Sequence, residues 1–254
     1  MVWRIILSLS VFIPVAALAS GGFTWLGLVE HSIHVPQHII SFVLVAVLLI
    51  GTALYYRRQL ASVNNIAIPD SGFTLRNLVE AYGQFIYNQC KMVLGDKDAP
   101  TYFPFIATIF LFILCSNLLG LIPGFLPPTE HLSTTLALGI FSFVYYNIKG
   151  CKVQGTWNYI KHFCGPLWYM AILVFPIEIV SNLVRPISLA LRLRGNMMGD
   201  HLVLGTFTDL VPLLVPVIFY VLGLLVCVIQ AYVFTMLSMV YISLAVSHQD
   251  HDEH

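Results

Sequence analysis

Six ionisable side chains, Glu178, Arg185, Arg192, Arg194, Asp200 and His201, fall within one otherwise apolar stretch between residues 166 and 206. A charge at membrane depth costs at least ~2.5–3.5 kcal/mol on insertion scales, so a set of this size needs a reason. The chemistry it can do is to move charge. On a straight helix Glu178, Arg185 and Arg192 lie seven residues apart, drift by only about 20° per step and share a face. Asn196 joins that face one turn beyond Arg192. His201 falls on roughly the opposite face, ~13 Å along the axis from Arg192, and Glu178 lies ~21 Å away in the other direction. A guanidinium keeps its charge when partly desolvated, where a lysine could lose its proton. The pattern is one permanent central cation with titratable groups displaced toward each surface. Its own segment offers Arg192 no acid at helical spacing except the distant Glu178, so its counter-charge is expected on another chain. Arg185 and Arg194 also admit a plainer reading, as charges whose stems snorkel toward an interface.

The last apolar stretch adds a polar stripe, since Gln230, Phe234, Leu237 and Tyr241 fall on one helical face. Antiparallel pairing across the turn at 205–212 brings Gln230 to about the depth of Arg192. An intramembrane glutamine can also be simple helix–helix glue.

The elements that must hold these groups are membrane helices. Of 254 residues 58% are hydrophobic and 9% charged, against about 25% charged in a soluble domain. Such a chain cannot cover itself with polar surface, so its solvent is lipid. The formal net charge is zero, and nothing in that balance points to nucleic acid. Five cysteines without CxxC spacing read as small hydrophobes rather than a disulfide or metal framework. Residues 1–19 carry Arg4, a short apolar run and Ala17-Leu18-Ala19, the pattern of a cleaved bacterial secretory signal; an uncleaved interfacial helix is the alternative. The remainder, 20–254, reads as one integral membrane domain.

Five crossings are predicted, at 37–56, 102–122, 132–148, 166–206 and 213–246. Between them, 73–94 and 157–163 read as amphipathic pieces on the membrane face. Five Lys and Arg lie in or beside the 59–100 connection and three in 149–161, whereas 123–131 and 205–212 hold none. Positive charge stays inside, which places the mature N-terminus outside and the C-terminus in the cytoplasm. The fold class is thus an all-α polytopic membrane protein.

Four segments carry a family resemblance. The run Arg185-Pro-Ile-Ser-Leu-Ala-Leu-Arg192-Leu-Arg-Gly-Asn196-Met resembles the signature of subunit a of bacterial F-type ATP synthases, most often written Leu-Arg-Leu-Phe-Gly-Asn-Met. Asn117-Leu-Leu-Gly-Leu-Ile-Pro123-Gly, Phe175-Pro-Ile-Glu178 and Gln230-Ala-Tyr-Val-Phe resemble the same family, in the same order. The resemblance extends from about His31 to the end of the chain. It implies a non-catalytic stator in the bacterial inner membrane, with peripheral-stalk b subunits beside it and no cofactor or metal. Its fourth and fifth helices would form a hairpin against a rotating c-ring whose subunits each carry a membrane carboxylate. Arg192 would face those carboxylates and separate two offset half-channels, with Gln230 as its polar companion and Tyr241 on the same stripe. His201, Asn196 and Asp200 would belong to the outer half-channel, Asn117 to its wall and Glu178 to the inner one. The transported ion, proton by default, depends largely on the ring.

Three positions depart from the family pattern. Arg194 stands where phenylalanine is common. Gly223 stands where some relatives carry a titratable partner for the residue at the His201 position, so His201 needs another partner or water. Gly120 replaces an acid found in some relatives. Two other classes are weaker. A haem or metal enzyme needs several histidines at facing depths, yet of nine histidines only His201 lies clearly inside a predicted span. A self-sufficient transporter would be expected to show inverted repeats, and the sequence has no visible ones.

Overall fold

A computed structural model describes residues 35–61, 74–122, 124–155, 168–210 and 215–246. The segments predicted as a signal at 1–19 and as an amphipathic piece at 157–163 lie outside the described residues, as do His31 and His34. Among the described residues the chain is all-helical. Its elements are α1 (Gln37–Ala61), α2 (Leu75–Leu119), a 3-10 turn (Pro128–Glu130), α3 (Leu132–Gln154), α4 (Trp168–Leu210) and α5 (Val215–Val246). Four of these, α1, α2, α4 and α5, are long and apolar enough to cross a membrane. The α3 helix, predicted as a crossing at 132–148, does not join that group. Thr134, Thr135, Ser142 and Tyr146 dilute its apolar character, and they are buried against the other helices. Its outward residues Ile140, Phe141, Val144 and Ile148 are apolar and exposed.

The 45 residues of α2 are two helical arms joined at Gly95, whose φ of 83° is a conformation that glycine adopts without a Cβ penalty. Thr74 caps the first arm by accepting a hydrogen bond from the Asn77 N–H at 3.4 Å, which satisfies one of the orphan donors of the first turn. The Tyr82 hydroxyl donates to the Ala107 carbonyl at 2.6 Å. Two residues 25 apart on a straight helix would be about 37 Å distant, so the arms fold back on each other at Gly95. Tyr82 stacks on Phe110 and Tyr87 meets Phe103 edge-on across the same fold. The stretch predicted to lie on the membrane face at 73–94 thus packs inward on one side. Ile86 and Cys90 are fully buried, and the Cys90 thiol sits 3.7 Å from the Met239 sulfur. Its other side keeps Leu78, Phe85 and Met92 exposed, as an amphipathic helix requires.

Lipid is as apolar as leucine, so helices in it associate through close packing and hydrogen bonds rather than by expelling water. The α3–α4–α5 core follows that rule. Tyr146 donates to Asn182 Oδ1 at 2.7 Å, joining α3 to α4. Ser142 donates to Ser238 at 3.1 Å and Gln154 to the Ala245 carbonyl at 2.9 Å, joining α3 to α5. Gly139 lets α3 press against α4 at Pro186. A Cβ there would lie 2.7 Å from the Pro186 carbonyl oxygen, a backbone atom with little room to yield. Gly139→Val is therefore expected to destabilise the bundle by about 1–3 kcal/mol, the usual cost of overpacking. The thermal transition of the purified variant measures it, and an unshifted transition would contradict this contact.

Candidate functional site

Proline at 176 and 186 removes two backbone donors from α4, and at Pro186 the carbonyl lies against Gly139 of α3. The inward stripe of α4 is Asn182, Pro186, Leu189, Ala190, Leu193 and Met197, spaced at three and four residues as one helical face demands. The charged residues sit beside and behind this stripe, and each finds a different environment.

Arg192 is exposed, and among the described residues it has no hydrogen-bond or ion-pair partner. Around it, Ile187, Leu191, Met198 and Leu202 are also exposed. A side chain added at Gly195 or Gly199 would meet nothing within 4 Å. The face that carries the guanidinium is thus bare of contacts from the described residues.

The α5 helix lines the flank of this face. Asn196 donates to Gln230 Oε1 at 2.6 Å, which sets Gln230 against the residue one helical turn from Arg192. Gln230 is 2% exposed, and its Nε2 is buried without a hydrogen-bond partner among the described residues. One turn toward the 205–210 end, Asp200 turns to the same helix. Its Oδ2 would stand 2.6 Å from a Cβ at Gly223, with Leu121 Cδ2 at 3.1 Å. The missing side chain at Gly223 is therefore the seat of the Asp200 carboxylate. Toward the other end, the Arg185 guanidinium lies 5.2 Å from the centre of the Tyr241 ring, within cation–π reach, and Tyr146 packs 5.9 Å from the same ring. Arg185 is half-buried, which answers the snorkelling reading with a specific partner. Arg194 is half-buried too, its Nε without a hydrogen-bond partner among the described residues. Glu178 is half-buried.

His201 points the other way. Its Nδ1 lies 3.5 Å from Oε2 of Glu130 on the 3-10 turn. Asn117 lies under that turn, 1% exposed, and accepts the Thr129 hydroxyl at 2.8 Å. Pro127 closes over Gly120, where a Cβ would be 2.8 Å from its Cγ; an acid at position 120 has no room here. Beside the turn the rings of His131 and His38 lie 4.5 Å apart. Glu130, His131 and His38 were not among the residues singled out from the sequence. The signal for Glu130 was available: it is the only charged residue in the connection 123–131, on the side of the membrane toward which His201 is displaced.

The Asn196–Gln230 bond ties the two helices at the arginine's level. A double-mutant cycle of Asn196→Ala and Gln230→Ala on the thermal transition is expected to give a coupling of about 0.6 kcal/mol, and no more than about 1.7. A coupling of zero would show that the bond does not hold the pair.

A family model described as ATP synthase A chain matches residues 38–243. An ATP synthase subunit a of Bdellovibrio bacteriovorus is 45% identical over 229 residues, covering 90% of this chain and 99% of that protein. One from Sorangium cellulosum is 41% identical over 85% of this chain and 84% of its own length. One from Geobacter sulfurreducens is 49% identical over 66% of this chain and 72% of its own length. With a helical fold that contains four membrane-length apolar helices and a family match across nearly all of them, the chain belongs to the ATP synthase subunit a family.

Proposed function

We propose that this chain is the membrane stator that passes protons between two half-channels and the carboxylates of a rotating c-ring, and so couples ion flow to ATP synthesis. The observation that carries the reading is Arg192: a permanent cation, exposed and without a partner among the described residues, on an apolar helix face that those residues leave uncovered. A lone guanidinium at such a depth is costly unless an anion meets it. A passing ring carboxylate is such an anion. Arg192 attracts each ionised carboxylate and bars a direct leak between the two half-channels, while Gln230, held by Asn196, keeps a polar companion at its level. His201, Asp200 and Asn196 line the outer path, with Asn117 in its wall and Tyr241 on the flanking stripe. Glu178 lines the inner path. The ring turns because each elementary charge moved releases about 2.3 kcal/mol per 100 mV.

The reading also assigns the topology. Five crossings are formed by α1, the second arm of α2, α3, α4 and α5. The apolar outward face of α3 supports counting it, since a helix with polar residues inside and apolar ones outside is built for lipid. Residues 1–19 act as a cleaved signal, the mature N-terminus lies outside, and the C-terminus lies in the cytoplasm of a bacterial cell with peripheral-stalk b subunits alongside. The chain transports and does not itself catalyse.

Arg192→Ala is expected to reduce ATP-driven proton uptake into inverted vesicles by on the order of a hundredfold or more, as loss of a preorganised charge does elsewhere. The variant should still copurify with its ring. Retained coupled pumping would overturn the reading.

A further inference from the structure

We infer that Glu130 is the proton-exchanging partner of His201, and that the 3-10 turn is a rigid mount for its carboxylate at the outer end of the path. The inference rests on the stator reading above. His201 Nδ1 and Glu130 Oε2 are 3.5 Å apart, and their side chains are 22% and 25% exposed. The pair is therefore only partly covered by the described residues, while that same carboxylate oxygen is buried and has no hydrogen-bond partner among them.

The mount is built without using the carboxylate. Pro127 packs over Gly120, the Glu130 N–H donates to the Pro127 carbonyl at 3.1 Å, and the Thr129 hydroxyl donates to Asn117. Every one of these contacts fixes backbone or a neighbouring residue, which leaves the acid at a set position and chemically free. No rival acid reaches His201 from α5. Position 223 is a glycine, and the Asp200 carboxylate already fills the space a side chain there would need. Among the described residues the titratable groups around the pair are Asp200, next to His201 on α4, and His131, next to Glu130, with His38 of α1 against the His131 ring; Asn117 and Thr129 from α2 and the turn are neutral.

The transfer balances simply. A proton taken from outside water protonates the Glu130 carboxylate, and its O–H bond breaks as an N–H bond forms at Nδ1 of neutral His201. The imidazolium then releases the proton from Nε2 toward the interior of the path, a flip of the ring turns the bare nitrogen back toward Glu130, and the carboxylate accepts the next proton. A histidine is suited to both halves of this exchange.

The test uses the whole synthase in liposomes with its soluble head facing the medium, so that the outer half-channel opens to the vesicle lumen. ATP synthesis is measured as the pH on that outer-channel side, the lumen, is varied at fixed external pH, with rates taken per assembled complex. Glu130→Gln is expected to slow synthesis by about a hundredfold, the low end for loss of a general acid–base group, and to change the shape of the lumen-pH profile. Glu130→Asp should keep that shape. Exchanging the two residues, Glu130→His with His201→Glu, should recover activity relative to either single change. The inference is overturned if Glu130→Gln leaves both rate and profile unchanged. It is equally overturned if Glu130→Asp and Glu130→Gln lose rate alike with the profile intact, because that marks a purely structural role. Failure here while Arg192→Ala still abolishes pumping removes only the role of Glu130; coupled pumping by Arg192→Ala removes the stator reading itself.

Discussion

The constraint on which the rest of this structure depends is the cost of a permanent charge in an apolar helix. Arg192 cannot lose its proton, and no acid among the described residues pairs with it. Everything around it is arranged to leave one side of α4 open and to stabilise the other sides by packing. The inward stripe from Asn182 to Met197 is buried, Gly139 brings α3 into contact with Pro186, and Asn196 ties α4 to Gln230 of α5. Open space on one face therefore follows from close packing on the others.

A second consequence is the divergence of Asp200 and His201. Adjacent residues on a helix point about 100° apart, and here that angle separates two environments. Asp200 lies against Gly223 of α5; His201 lies against Glu130 of the 3-10 turn. The carboxylate that might have stood on α5 is supplied from α4, and the acid facing the histidine comes from a turn. Glycine at 120 and at 223 serves these placements by absence: one accepts Pro127, the other a carboxylate.

Much of this was legible in the sequence. The helical class, the long charged helix and the depth match between Arg192 and Gln230 all follow from hydropathy and from a fixed rise and rotation per residue. The location of Asn117 near the histidine's end followed only through family resemblance. The partner of Arg185 was not legible, because cation–π contact with Tyr241 depends on how far two helices approach. Nor was the fold-back of α2. Gly95 is an ordinary glycine in the sequence, and only its positive φ marks a reversal that puts Tyr82 against Ala107.

The sequence by itself determined that the chain lives in lipid, that Arg192 is charged there, and which residues share its face, because these depend on composition and on the geometry of a single helix. Tertiary structure alone decided which flank of that face is closed by α5, where the Asp200 carboxylate sits, and that His201 meets Glu130. Those contacts join elements far apart along the chain. Their distances are set by side-chain volume and backbone bends, which no local spacing encodes.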